Sequence, residues 1–239
     1  MTTRELGLMA VPALVALAGG VLAALWHPSH RARSLIQHFA AGVVLAALAV
    51  ELLPEIEREH APARVLAGAF AAGALAMFGL KLLTERLEER GPGGGFSAGL
   101  ILATFVDVAV DGFIIGAGFA AGGETGAILA IGLSVELLFL GLALTTEAPG
   151  GWKIVALSGG LGATVLATAA AGKVLLAGAA VTTIAAALSF SAAALLYLVT
   201  EELLVEAHDP KIGRETPYST LVIFAGFLVF WSVQLAGRA

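Results

Sequence analysis

Eight apolar runs, each close to the length of helix that crosses a bilayer, leave this sequence few ways to fold. A hydrocarbon core takes about 20 helical residues, and in lipid the backbone must satisfy its own hydrogen bonds. The runs fall at about residues 6–26, 35–53, 65–83, 96–120, 125–144, 154–176, 181–204 and 218–235. Breakers separate them: Trp26-His27-Pro28, a charged turn from Glu85 to Arg90 followed by Gly91-Pro92-Gly93-Gly94-Gly95, and Pro149-Gly150-Gly151. Charged residues make up 13% of the chain, against roughly 25% in soluble domains. The expected protein is all-α and membrane-integral, a single transmembrane domain over residues 1–239.

The first run has a competing reading as a signal peptide. Its charged start is weak, with Arg4 beside Glu5, and Trp26-His27-Pro28 makes a poor small-residue cleavage site. It is expected to be a membrane helix, with His27 and His30 in an interfacial turn. The chain has no cysteine, which excludes disulfides and thiolate metal sites, and its net charge of -5 comes with no basic cluster suited to nucleic acid.

Eight spans put both termini on one side. The turns after helices 1, 3, 5 and 7 hold Arg31, Arg33, Lys81, Arg86, Arg90, Lys153, Lys211 and Arg214, and the other face holds Arg4, Arg58, Arg64, Lys173 and Arg238. Basic residues favour the cytoplasmic side, so this count of eight against five predicts a multi-pass protein of the cell membrane with both termini outside. Lys173, near the end of its helix, is expected to snorkel to the surface.

An internal repeat adds an architecture. The stretch from Phe39-Ala40-Ala41-Gly42 to Glu51-Leu52-Leu53-Pro54-Glu55 matches that from Phe190-Ser191-Ala192-Ala193 to Glu202-Leu203-Leu204-Val205-Glu206 at a constant offset of 151. Helix 2 thereby pairs with helix 7 in the opposite sense across the bilayer. Helices 1–3 and 6–8 become inverted repeats around helices 4 and 5, a 3+2+3 arrangement of a kind found in transporters.

The inserted pair carries the chemistry. Phe105-Val106-Asp107-Val108-Ala109-Val110-Asp111-Gly112 places two carboxylates one helical turn apart, on one face of a segment too apolar for water. Their charges repel unless a cation or proton sits between them. Ionisable groups inside a span mark ion paths or proton relays more often than anything else. Helix 5 adds Glu136 and Ser134. Glu51 and Glu202, at matching positions of the repeat, suit entrance and exit relays, whereas Glu55 and Glu206 read as interfacial.

On these residues the chain resembles the ZIP family of divalent metal transporters over nearly its whole length. His38-Phe39-Ala40-Ala41-Gly42 to Leu53-Pro54-Glu55 is similar to that family's second helix, and Leu196-Tyr197 to Glu202-Leu203-Leu204-Val205-Glu206 to its seventh. The family's helix 4 carries His-Asn-x-x-Glu/Asp-Gly and its helix 5 His-Glu-x-x-x-x-x-Gly, together holding a metal at the midplane. Taking Val110 as an added residue, the histidine and asparagine positions fall on Val106 and Asp107, and the acidic and glycine positions on Asp111 and Gly112. In helix 5, anchoring on Gly141 puts Ser134-Val135 at the His-Glu positions, with Glu136 one residue later, about 100° round the helix. The family's helix 6 Ala-Glu-Pro-Leu-Gly corresponds to Ser158-Gly159-Gly160-Leu161-Gly162, without its carboxylate, which argues against a paired-metal site.

The resemblance implies a divalent ion as substrate, Zn, Mn, Fe or similar, and no organic cofactor. The expected ligands are Asp107, Asp111, Glu136 and Ser134 with water, and the expected pathway residues are Glu51, Glu202 and His38. Oxygen ligands suit harder ions such as Mn, Mg or Ca, although carboxylates also bind Zn. The alternative is a transport-inactive sensor or scaffold of the same fold. An aspartyl hydrolase is not expected, because Asp107 and Asp111 share one helix and do not converge from separate elements. Stretches such as Gly68-Ala69-Phe70-Ala71-Ala72-Gly73 let helices approach closely. A homodimer is compatible with them, although they single out no dimer face.

Overall fold

The computed structural model describes residues 2–25, 29–89, 98–143, 152–204 and 218–237. Among them are eight helical rods and no strand. We number them α1 (Thr3–Leu25), α2 (residues 30–58), α3 (Ala63–Glu89), α4 (Ala98–Ala121), α5 (Gly123–Ala143), α6 (Trp152–Leu176), α7 (residues 181–203) and α8 (Ser219–Gly237). Six of these contain stretches long and apolar enough to cross a membrane, and α8 adds the shorter apolar stretch Thr220–Ala236. Large apolar side chains such as Leu14, Leu75, Phe224 and Trp231 stand exposed on the outside of the bundle, which fits a membrane-embedded protein.

Each apolar run becomes a rod, with ends that differ from the expected ones by a few residues. α3 continues through the charged segment as far as Glu89, because Glu85 to Glu89 contains good helix formers and no breaker. The glycine run at 91–95 and the breaker at 149–151 lie outside the described residues, as do His27 and Glu206. α1 packs against α5 and α6 and buries Met9, Ala16 and Ala23, so the first apolar run is part of the bundle.

Two rods are locally unwound. α2 is α-helical over His30–Ala47, passes through a π-turn at Leu48–Leu52, and resumes as Leu53–Arg58. α7 is α-helical over Val181–Leu198 and ends in a π-turn at Val199–Leu203. Within α2 the wider turn accommodates Pro54, which has no N–H to give and sits at the start of the following α segment, where a missing donor is tolerated. α6 ends at Gly178, whose φ of +74° is the left-handed conformation that favours glycine.

The packing separates α1, α4, α5 and α6, which lie against one another, from the pairs α2–α8 and α3–α7. The groups meet where α2 touches α5 and α7, and where α4 touches α3 and α7. Close approach rests on glycine. A Cβ at Gly42 would collide with the Ile223 carbonyl oxygen, and one at Gly226 with the Phe39 carbonyl oxygen, so α2 and α8 touch backbone to backbone. Gly112 and Gly116 do the same for α4 against α6, where Cβ atoms would run into Thr168 Oγ1, Val165 O and Ala169 O.

Two ion pairs tie rod ends together. Lys173 on α6 meets Glu5 on α1 and lies 5.7 Å from the centre of the Phe119 ring, and Lys81 on α3 meets Glu201 on α7. Lys173 is therefore held by a partner within the bundle.

Candidate metal centre

The apolar bundle closes around three carboxylates. Asp107 and Asp111 lie one turn apart in the middle of α4, and α5, packed alongside, supplies Glu136. Asp111 is 1% exposed, Glu136 5% and Asp107 8%. One oxygen from each lies within 4.8 Å of the others. That spacing fits a single ion, because two oxygens on opposite sides of a cation, each about 2.0–2.6 Å from it, stand about 4–5 Å apart.

Electrostatics make the cluster costly without a cation. Two carboxylate charges at such a separation repel by about 3–4 kcal/mol at an effective dielectric near 20, and three make three such pairs. A divalent ion among them turns net repulsion into net attraction. The donor set is all oxygen, which accepts Mn, Mg, Ca, Fe and Zn with less discrimination than imidazole or thiolate would. Position is secured beside the ligands: Gly112, next to Asp111, lets α4 sit directly on α6, and Thr168 Oγ1 at that contact donates to the Thr164 carbonyl at 2.9 Å.

The other expected ligand, Ser134, is on the same helix as Glu136. Ser134 is buried, but its hydroxyl donates to the Ala130 carbonyl of its own helix at 2.6 Å. Two residues are about 200° of helix rotation, so Ser134 and Glu136 project in nearly opposite directions. It is Glu136 that the fold brings to the aspartates.

The expected pathway residues lie on α2 and α7. His38 on α2 is fully buried, and its Nδ1–H donates to the Ser34 carbonyl at 2.7 Å. In the neutral ring that bond assigns the lone pair to Nε2, the orientation used by histidines that meet cations. Glu51 lies in the π-turn of α2, 4% exposed, and its Oε2 accepts from Gln234 Nε2 of α8 at 2.7 Å. Glu202 lies in the π-turn of α7, with a side chain outside the described residues. Gln234 was not among the expected site residues, although an amide near the end of an otherwise apolar span is a signal in itself.

Neither a protein-family model nor a curated protein matches the sequence.

Proposed function

We propose that the protein is a divalent cation carrier of the ZIP type, which moves Zn, Mn, Fe or a similar ion across the membrane by alternating access, with Asp107, Asp111 and Glu136 as the midplane site. The observation that carries the reading is the convergence of three buried carboxylates from two packed helices of an apolar bundle. A buried acidic cluster gains little as scaffolding, since apolar side chains would fill the same space without charge repulsion. It gains a function if an ion comes and goes.

The 3+2+3 arrangement with inverted repeats is part of this reading and has independent support. The π-turns Leu48–Leu52 and Val199–Leu203 stand at the same offset of 151 as the sequence repeat. Each is closed by an equivalent bond, Leu53 N–H to Leu48 O and Leu204 N–H to Val199 O. Exchanging 1 with 6, 2 with 7, 3 with 8 and 4 with 5 turns the packed pair α2–α8 into α7–α3, α1–α5 into α6–α4, and α2–α5 into α7–α4, all of them packed pairs. Thr2 and Gln234 line one cavity, as an even number of crossings requires. α4 is an uninterrupted α-helix from Ala98 to Ala121, which leaves no place for an added residue. The helix 4 motif is then better read without a gap, with Asp107, not Val106, at the histidine position.

The deciding experiment is uptake into proteoliposomes across a panel of Mn, Fe, Zn, Mg and Ca. Saturable uptake of several ions, with weak discrimination between Mn and Zn, is the expected result. Binding without flux would favour the sensor or scaffold reading, and a strong preference for Zn would place an imidazole, His38 first, among the ligands. Glu136→Gln should weaken binding about as much as removal of either aspartate charge, and an unchanged affinity would exclude α5 from the site.

Topology has its own test. A cysteine at Ser29, in the α1–α2 turn, should react with impermeant thiol reagents only from the cytoplasmic side, and one at Ala61, between α2 and α3, only from outside. Reaction of both from one side would end the eight-span arrangement.

A further inference from the structure

A cavity of about 670 Å³ opens between the N-terminal end of α1, the α4–α5 turn and the C-terminal part of α8. Arg4, Glu5, Glu124 and Gln234 are among its lining residues, as is Phe230, whose Cε2 lies 3.2 Å from where a Cβ on Gly132 of α5 would stand. Gln234 is 7% exposed, so this amide is a wall of the cavity and not a surface group.

Its partners lie on α2. Pro54 cannot supply the N–H that the Val50 carbonyl would receive in an α-helix. Gln234 Nε2 donates to that carbonyl at 3.1 Å and, with the same nitrogen, to Glu51 Oε2 at 2.7 Å. Both partners are acceptors, which assigns the nitrogen and the oxygen of the amide without ambiguity. A lysine or arginine in this place would also satisfy both oxygens, but it would neutralise Glu51. The amide orients the carboxylate without placing a positive charge beside it, and Gln234, not Glu51, is the residue that lines the cavity. π-turns concentrate at functional sites because the widened backbone exposes carbonyls that side chains can use.

We infer that Gln234 is the positioning residue that holds Glu51 toward this cavity to receive a divalent cation entering from the face that bears both termini, ahead of the Asp107, Asp111 and Glu136 site. The inference rests on the carrier reading above. Gln234 touches Glu51 and reaches the ion through it, and the cavity is the approach.

Uptake kinetics in proteoliposomes test this with four variants. Gln234→Met keeps the volume and removes both hydrogen bonds. It should raise KM for Mn on the order of ten-fold, the loss expected for one charge-assisted hydrogen bond, while kcat changes little. Glu51→Gln retains an oxygen for the amide, preserves the packing of the π-turn and should raise KM by a similar factor. The double variant should be no worse than either single one, because the two residues act as one unit. If Gln234 only capped the Val50 carbonyl, Gln234→Met would lower the melting temperature and the yield of folded carrier at an unchanged KM. That result would overturn the inference, as would single effects that multiply in the double variant. Asp111→Asn tells failure of the carrier reading from failure of the inference. If uptake by the unmodified protein is absent, the carrier reading fails, and if uptake survives Asp111→Asn intact, its carboxylate site fails; this inference falls with either. If Asp111→Asn abolishes uptake while Glu51→Gln leaves KM unchanged, the inference alone fails.

Discussion

Asp111→Asn should weaken divalent cation binding about a hundred-fold or more while leaving the bundle folded. The substitution is nearly isosteric, so α4 keeps its seat on α6, and the change is confined to one charge and two hydrogens. Asp111 is the most deeply buried of the three carboxylates, at 1% exposure, so little water is at hand to take over its role. Replacing one carboxylate in contact with the ion removes on the order of 3 kcal/mol or more of charge–charge attraction, about a hundred-fold in affinity. Titration calorimetry with Mn on purified protein measures it directly, and a melting curve checks that the fold is intact. Carboxylates bind metals in their deprotonated form, so binding by the unmodified protein should weaken as pH falls. If Asp107→Asn and Asp111→Asn both left binding unchanged for every ion of the panel, the carrier reading would lose its carboxylate site, and absence of flux as well would leave the sensor or scaffold reading as the better one.

The second large effect is on folding. Gly42→Ala should separate α2 from α8, because the new methyl group would collide with the Ile223 carbonyl oxygen and lie 2.8 Å from the Ile223 carbonyl carbon and 3.0 Å from the Phe227 nitrogen. None of these is the end of a flexible side chain, so the neighbouring backbone must move. Overpacking typically costs about 1–3 kcal/mol, and a contact between two helix backbones belongs at or above the top of that range. The control is Gly79→Ala on α3, where a Cβ meets nothing within 4 Å. There the better helix propensity of alanine, worth up to about 1 kcal/mol, should leave stability equal or improved. Melting temperatures and monodisperse yield in detergent compare the two. Equal stability of Gly42→Ala and Gly79→Ala would mean that α2 and α8 do not pack as described.

The number and approximate limits of the rods follow from local chemistry: about 20 apolar residues between breakers have one low-energy form in lipid, and each rod begins and ends within a few residues of its run. Asp107 and Asp111 were legible for the same reason, since one turn of helix aligns their side chains whatever surrounds them. The third carboxylate was not decided in this way. α5 is apolar on nearly all sides, so hydrophobicity does not specify which face it turns toward α4, and Glu136 and Ser134 are both expected ligands from the sequence. Packing of α5 against α1, α2 and α4 fixes its rotation, and Glu136 is the residue that this rotation brings to the aspartates. Gln234 was hidden for a related reason. Its role depends on a carbonyl that Pro54 leaves without a helical donor and on a carboxylate, both in a rod 183–184 residues away, and no periodicity links positions so distant. Local sequence is enough to make this chain a set of apolar helices with two carboxylates aligned on one of them. Which groups meet is settled only when the rods pack, because helices that are greasy all round take their rotation from the neighbours they touch.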